Sequence, residues 1–200
     1  MLAMNRALPS LLLLLAPFAA AQAPRPLPPL DTATLAYDTK AGAAIGWPAL
    51  LDTLSKLDVV FLGETHIDDT THRVELAVLE GLLAARQGKV VLSMEMFERD
   101  VQGVLDQYLA GAIDEATFVQ KARAWENYRT AYRPLVEAAK AAKIPVVAAN
   151  FPGTLRRRRA QGGKAAIDAL PPAQRELVPA EIFPASEGYW ERVARAVRGH

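Results

Sequence analysis

Three short apolar runs, each rich in β-branched residues and continuous rather than alternating, constrain the fold of this chain more than any other feature. They are LDVVFL at 57–62, KVVLSM at 89–94 and IPVVAA at 144–149. A strand with one wet face alternates apolar and polar residues, whereas an unbroken run suits a strand covered on both faces, as in a parallel sheet. Pro145 falls near the start of the third run, where a missing N–H is tolerated. Between the first two runs, Leu76, Leu79 and Leu83 share one helical stripe and Val74, Val78 and Leu82 an adjacent one. Strand, helix and strand in that order predict a βαβ unit.

Between the second and third runs the helical spacing recurs in separate stretches. Val101, Val104, Leu105, Tyr108 and Leu109 form one stripe, with Asp100 as expected N-cap and Gly111 as stop. Phe118, Ala122 and Trp125 form another, and Leu135, Val136, Ala139 and Ala142 a third. The expected fold is therefore α/β: a parallel sheet with flanking helices and a helical insertion between strands two and three. After Pro152-Gly153 the chain turns basic and helical, Pro171-Pro172 breaks it, and Trp190, Val193, Ala194 and Val197 make a last stripe. Three strands are few for a sheet. The expectation is that a partner supplies the missing edge or that the chain is a C-terminally shortened version of a longer fold.

Residues 1–21 read as a secretory signal peptide: Arg6, an apolar run from Ala7 to Ala16, then Ala19-Ala20-Ala21 before Gln22. The apolar run is shorter than the ~20 residues a membrane-spanning helix needs. Cleavage near Ala21 leaves no integral membrane span and predicts an exported protein of the periplasm or cell envelope. Residues 22–46, opening with the proline-rich APRPLPP at 23–29, are expected to be a linker ahead of a domain over 47–200. The 23 basic and 22 acidic residues give a net charge of +1, which speaks against nucleic acid as a partner. The chain has no cysteine, which excludes disulfides, thiolate metal sites, a Cys nucleophile and a lipobox anchor.

Parallel sheets bind ligands beyond the carboxyl ends of their strands. There the sequence places Glu64 and His66 after strand one, Glu95 after strand two and Asn150 after strand three. Charged groups at the end of a buried strand are costly unless partnered, so these four are expected to face one another. His72 shares a stripe with Leu76 and Leu79 and faces the same crevice, where a neutral imidazole could ligate a metal, act as a base or donate to a carboxylate. Trp125, Tyr128 and Tyr132 follow at helical steps, a pattern that suits core packing or a tyrosine hydroxyl at the site's rim. Arg156 opens four consecutive arginines, 156–159, beside the strand-three loop, where a guanidinium could grip a carboxylate or propionate.

These motifs carry a resemblance. GETH at 63–66 followed by His72, MEMF at 94–97, LDQYLAG at 105–111, Trp125 with Tyr128 and Tyr132-Arg133-Pro134-Leu135, and VVAANFPG at 146–153 resemble, in order over 59–162, the ChaN family of haem-binding, iron-regulated bacterial proteins in the Tiki superfamily. The resemblance implies an exported α/β protein that binds haem in haem or iron acquisition, two protomers enclosing the haem, a tyrosine on the iron and a histidine near the propionates. Tyr128, Tyr132 and Tyr189 are all candidates for the iron ligand, and His66, His72, Asn150 and Arg156 complete the expected cofactor contacts. Related branches of the superfamily are hydrolases, which makes Glu64, His66 and Glu95 the catalytic set of an alternative reading, with or without a divalent metal. The chain departs from the family in lacking a lipid-anchoring Cys and in stopping at His200, earlier than family members usually do.

Overall fold

A computed structural model describes residues 27–179 and 186–198. The expected leader at 1–21 and the first residues of the expected linker lie outside the described residues. The fold is mixed α/β: a small parallel sheet with flanking helices.

Part of the stretch expected as linker carries structure of its own. A helical turn, α1 (Leu30–Ala33), precedes an antiparallel hairpin of β1 (Ala36–Asp38) and β2 (Ala43–Ile45). The Asp38 carboxylate shapes the hairpin's turn by accepting from the backbone N–H of Lys40 and Ala41 at 2.8 and 2.9 Å. Next come α2 (Trp47–Ser55) and the long α3 (Asp69–Ala85). Asp68 caps α3, its side chain accepting from Thr70 and Thr71 N–H at 2.7 and 3.1 Å, and Asp69 in the first turn suits the helix dipole. A Cβ at Gly81 would stand 2.8 Å from Leu51, so a side chain there would force Leu51 of α2 to move.

The second and third apolar runs become the sheet. They appear as β3 (Leu92–Glu98) and β4 (Val146–Asn150), each beginning and ending later than the sequence suggests. The strands pair in parallel, Leu92 with Val146 and Met94 with Ala148, before an irregularity that brings Glu98 opposite Asn150. The helical insertion between them is present: α4 (Gln102–Leu109), α5 (Glu115–Lys121), a π-helical turn over Tyr128–Tyr132, and α6 (Arg133–Ala142). Their inner faces close the main core, in which Phe97, Leu105, Phe118, Val136 and Ala139 are fully buried. After β4 run α7 (Gly153–Asp168), broken at Gly163, then α8 (Pro172–Arg175) and α9 (Glu187–Arg198).

Three expectations need correction. The first run does not become a strand: residues 57–62 have no regular structure and no ladder partner among the described residues, and Phe61 is 92% exposed. α3 packs against α2 and α6, so its apolar face is spent there and the first βαβ unit does not form. Second, the sheet is covered on one face, not two. Met94, Met96, Val146 and Ala148 are buried, while Ser93, Glu95, Val147 and Ala149 are exposed. Third, Asp100 is not the cap of α4. A 3₁₀ turn over Arg99–Val101 comes first, and Asp100 pairs with Arg123 at 2.6 Å.

Gln102 does more for the sheet than any cap. Its side-chain amide donates to the Val146 carbonyl at 2.8 Å and accepts from the Ala148 N–H at 2.7 Å. The side chain thus stands in for a strand on that edge of β4, satisfying backbone groups that burial would otherwise leave unpaired.

Candidate functional site

The site forms where the loop ahead of α3 meets the first turn of that helix and the π-helical turn. Capping by Asp68 starts α3 so that His72 and Glu75 fall, one turn apart, on its inner face, both buried. Glu64 is the hub. Its Oε1 lies 2.7 Å from His66 Nδ1 and accepts from the Tyr132 hydroxyl at 2.9 Å, while Oε2 lies 3.4 Å from His72 Nδ1. His72 Nδ1 is also 3.1 Å from Glu75 Oε2, and His72 Nε2 is 3.2 Å from the backbone carbonyl of His66. Asn127 donates to that same carbonyl at 2.7 Å, so two side chains hold the backbone of His66.

Burial and neighbouring charges shift the titration of three of these groups. Burial pulls His72 down, but its hydrogen bonds to Glu75 and the His66 carbonyl and the charges of Glu75 and Glu64 outweigh this, leaving its pKa above the ordinary value. In its protonated form the ring donates from both nitrogens, to Glu75 and to the His66 carbonyl, and only its neutral form offers a lone pair to a metal. Glu75 is raised, first by burial and then by the neighbouring Glu64, against the pull of His72. Tyr132 is raised well above the usual phenol range by burial and by its bond to Glu64, which disfavours its phenolate.

His66 is different. Its Nδ1 is engaged by Glu64, its side chain is 54% exposed, and its Nε2 has no hydrogen-bond partner among the described residues. The Trp125 ring stands edge-on at 5.0 Å, and neighbouring Ile67 is 90% exposed. A shallow cleft of about 180 Å³ runs between His66, Ile67, Asn127 and Thr130. A second hollow of about 330 Å³ lies beside it, between Phe61, Leu62 and the start of α3. An oriented imidazole with one open nitrogen, beside an indole wall and exposed aliphatic surface, suits a flat, apolar, iron-bearing ligand lying against the protein. The cleft at His66 is too small to bury such a ligand, because cavities that do so start at about 300 Å³. Among the described residues, Glu64, His72 and Glu75 could hold a divalent metal, their ligand atoms lying within 4.8 Å of one another.

Glu64, His66, His72 and Tyr132, singled out in the sequence, come together here. The remaining candidates do not join them. Glu95 points from the open face of β3 and Asn150 ends β4, neither with a bond to the cluster, because the first run never pairs beside β3 to bring the strand ends together. Tyr128 is buried in the core edge-on to Phe118, its hydroxyl unpartnered and its pKa raised by burial. Arg156 is exposed in the first turn of α7, and Tyr189 is 45% exposed on α9 beside Trp190. Sequence reasoning missed Glu75 and Asn127. Glu75 carried a signal, a carboxylate one turn after His72 within an apolar stripe; Asn127, in a loop, carried none.

The comparisons with known proteins agree with this architecture. A family model described as haem-binding uptake, Tiki superfamily, ChaN matches residues 50–200. No curated protein sequence matches the chain. Among solved structures, one of cofacial haem binding to ChaN of Campylobacter jejuni is similar, with a TM-score of 0.52 and 14% sequence identity over 78% of this chain. The match spans 58% of that protein's length.

Proposed function

Because the chain belongs to the ChaN family of the Tiki superfamily, we propose that it binds haem at the His66 loop and serves haem or iron acquisition at the bacterial cell envelope after export. The observation that carries this reading is the open Nε2 of His66, backed by the 2.7 Å contact of Nδ1 with Glu64. A carboxylate on one ring nitrogen fixes the tautomer and ring orientation of an imidazole. Glu64 therefore aims the lone pair outward. His72 and Asn127 fix the loop through the His66 carbonyl, and Trp125 with Ile67 offers apolar surface.

Haem, when bound, supplies a flat apolar face, an iron and two carboxylates. His66 is the group of this chain best placed to face the iron. The Tyr132 hydroxyl is committed to Glu64, and Tyr128 is sealed in the core. Tyr189 keeps an exposed hydroxyl-bearing ring but stands on α9, without a bond to the cluster. The cleft is too shallow to cover a porphyrin from one side, which favours a homodimer in which a second protomer covers the other face. The leader at residues 1–21 supports export.

Titration of the protein with ferric haem tests this reading. A Soret band shifted from that of free haem is expected for the wild type, with the shift lost in His66→Ala and retained in Tyr128→Phe. A wild-type spectrum identical to that of free haem contradicts haem binding; a shift lost in Tyr189→Phe but kept in His66→Ala moves the ligand to α9. The proximity of Glu64, His72 and Glu75 favours a second reading, a hydrolase with His66 as general base oriented by Glu64, with or without a divalent metal. Glu95, standing apart, has no place in it. Turnover of ester or peptide substrates that vanishes in His66→Ala, without a haem spectrum, selects that reading.

A further inference from the structure

We propose that α9 (Glu187–Arg198) is a membrane-surface helix that lies on anionic lipid, an inference independent of the haem site. At 100° per residue, Tyr189, Trp190, Val193, Ala194 and Ala196 fall on one arc of the helix, and Arg192, Arg195 and Arg198 on the other. Both acids, Glu187 and Glu191, stand in the N-terminal half, so the C-terminal half of the polar arc carries arginines alone. Trp190 is 64% and Tyr189 45% exposed, their rings edge-on at 5.2 Å, Ala194 and Ala196 are exposed, and Val193 is half-buried. Among the described residues no hydrogen bond or ion pair ties α9 to the rest of the molecule.

The composition of the arc argues for lipid over a protein groove. A helix docking in a protein groove is read by large aliphatic or aromatic anchors repeating along one stripe. Here the aliphatic positions are only Val and Ala, and the large residues are an adjacent Trp and Tyr at one end. Those two side chains combine an apolar body with a polar tip, which suits the boundary between acyl chains and headgroups. Arginines on the opposite face of such a helix add attraction to anionic headgroups. The exposed run Arg156–Arg159 on α7 supplies further positive charge without an ion pair among the described residues.

Indole fluorescence in the full chain tests this. Trp47→Phe and Trp125→Phe together leave Trp190 as the one indole, and the leader contains none. With phosphatidylglycerol vesicles, Trp190 emission should move to shorter wavelength and be quenched by brominated acyl chains. With phosphatidylcholine vesicles it should not, and added salt should reverse the effect. Arg192→Glu/Arg195→Glu/Arg198→Glu should abolish it, as should Val193→Asp, which keeps every arginine. Unchanged Trp190 emission with anionic vesicles overturns the proposal, even where the chain sediments with them. So does a concentration-dependent shift without lipid, which assigns the face to a second copy.

Discussion

Two stretches of the chain carry the same kind of apolar pattern and end differently. Residues 89–94 (KVVLSM) run into β3 (Leu92–Glu98), paired with β4 and packed on the main core, while 57–62 (LDVVFL), with the same two valines, pair with nothing among the described residues. β-propensity measures fit to a paired, half-buried surface more than any intrinsic backbone preference. β3 has such a surface because α4, α5 and α6 return the chain to lay β4 beside it. The first run lacks a partner strand, and α3 has turned its apolar face to α2 and α6. Its side chains stay exposed, Leu57 by 49%, Val59 by 64% and Phe61 by 92%.

The sharpest way to break this contrast is a pair of aromatic truncations. Phe118→Ala should cost about 3–5 kcal/mol, as for a fully buried ring, and Phe61→Ala no more than about 0.5 kcal/mol, as for a surface change. Urea unfolding of both variants checks this; a Phe61→Ala cost near that of Phe118→Ala means the first run is covered after all.

Next comes the polar cluster that follows the first run. His72→Ala should cost about 3 kcal/mol, since it leaves Glu64 and Glu75 facing each other without the cation between them. The pH dependence has a definite sign. The folded pKa of His72 lies above its unfolded value of 6.5, so its contribution is complete below that pH and is lost as pH rises through the folded value. Thermal midpoints measured from pH 6 to 9 should fall more steeply for the wild type than for His72→Ala. Parallel curves contradict the assignment of a charged His72.

A smaller effect concerns the edge of the sheet. Gln102→Ala should cost about 1–3 kcal/mol by leaving the Val146 carbonyl and Ala148 N–H without their partner. Amide exchange at Ala148 should accelerate. Asp68→Ala should cost about 1 kcal/mol through loss of the α3 cap, read again in urea.

The contrast also marks what the sequence makes legible. β3, β4 and the helices between them can be read from local periodicity because their partners are neighbours in a single crossover. The fate of 57–62 depends on a non-local pairing that its own residues do not encode. At the site, Glu64, His66 and His72 are legible because two of them end an apolar run and the third lies on a helical stripe. Tyr128 and Tyr132 look equivalent at helical spacing, yet one hydroxyl ends in the core and the other on Glu64. Side-chain direction in a π-helical turn after a loop is set by packing and does not show in the spacing. Gathering Glu95 and Asn150 requires neighbouring strands beyond β3 and β4, and the first run forms none among the described residues.

In the proposed haem site Glu64 holds Nδ1 of His66 and leaves Nε2 to face the ligand. The most direct measurement is the ¹⁵N spectrum of the His66 ring before and after addition of gallium protoporphyrin, a diamagnetic stand-in for haem. The account predicts a protonated Nδ1 that persists and an Nε2 resonance that shifts on binding. A proton on Nε2 with Nδ1 bare, or a bound porphyrin that leaves both nitrogens unmoved, would contradict it.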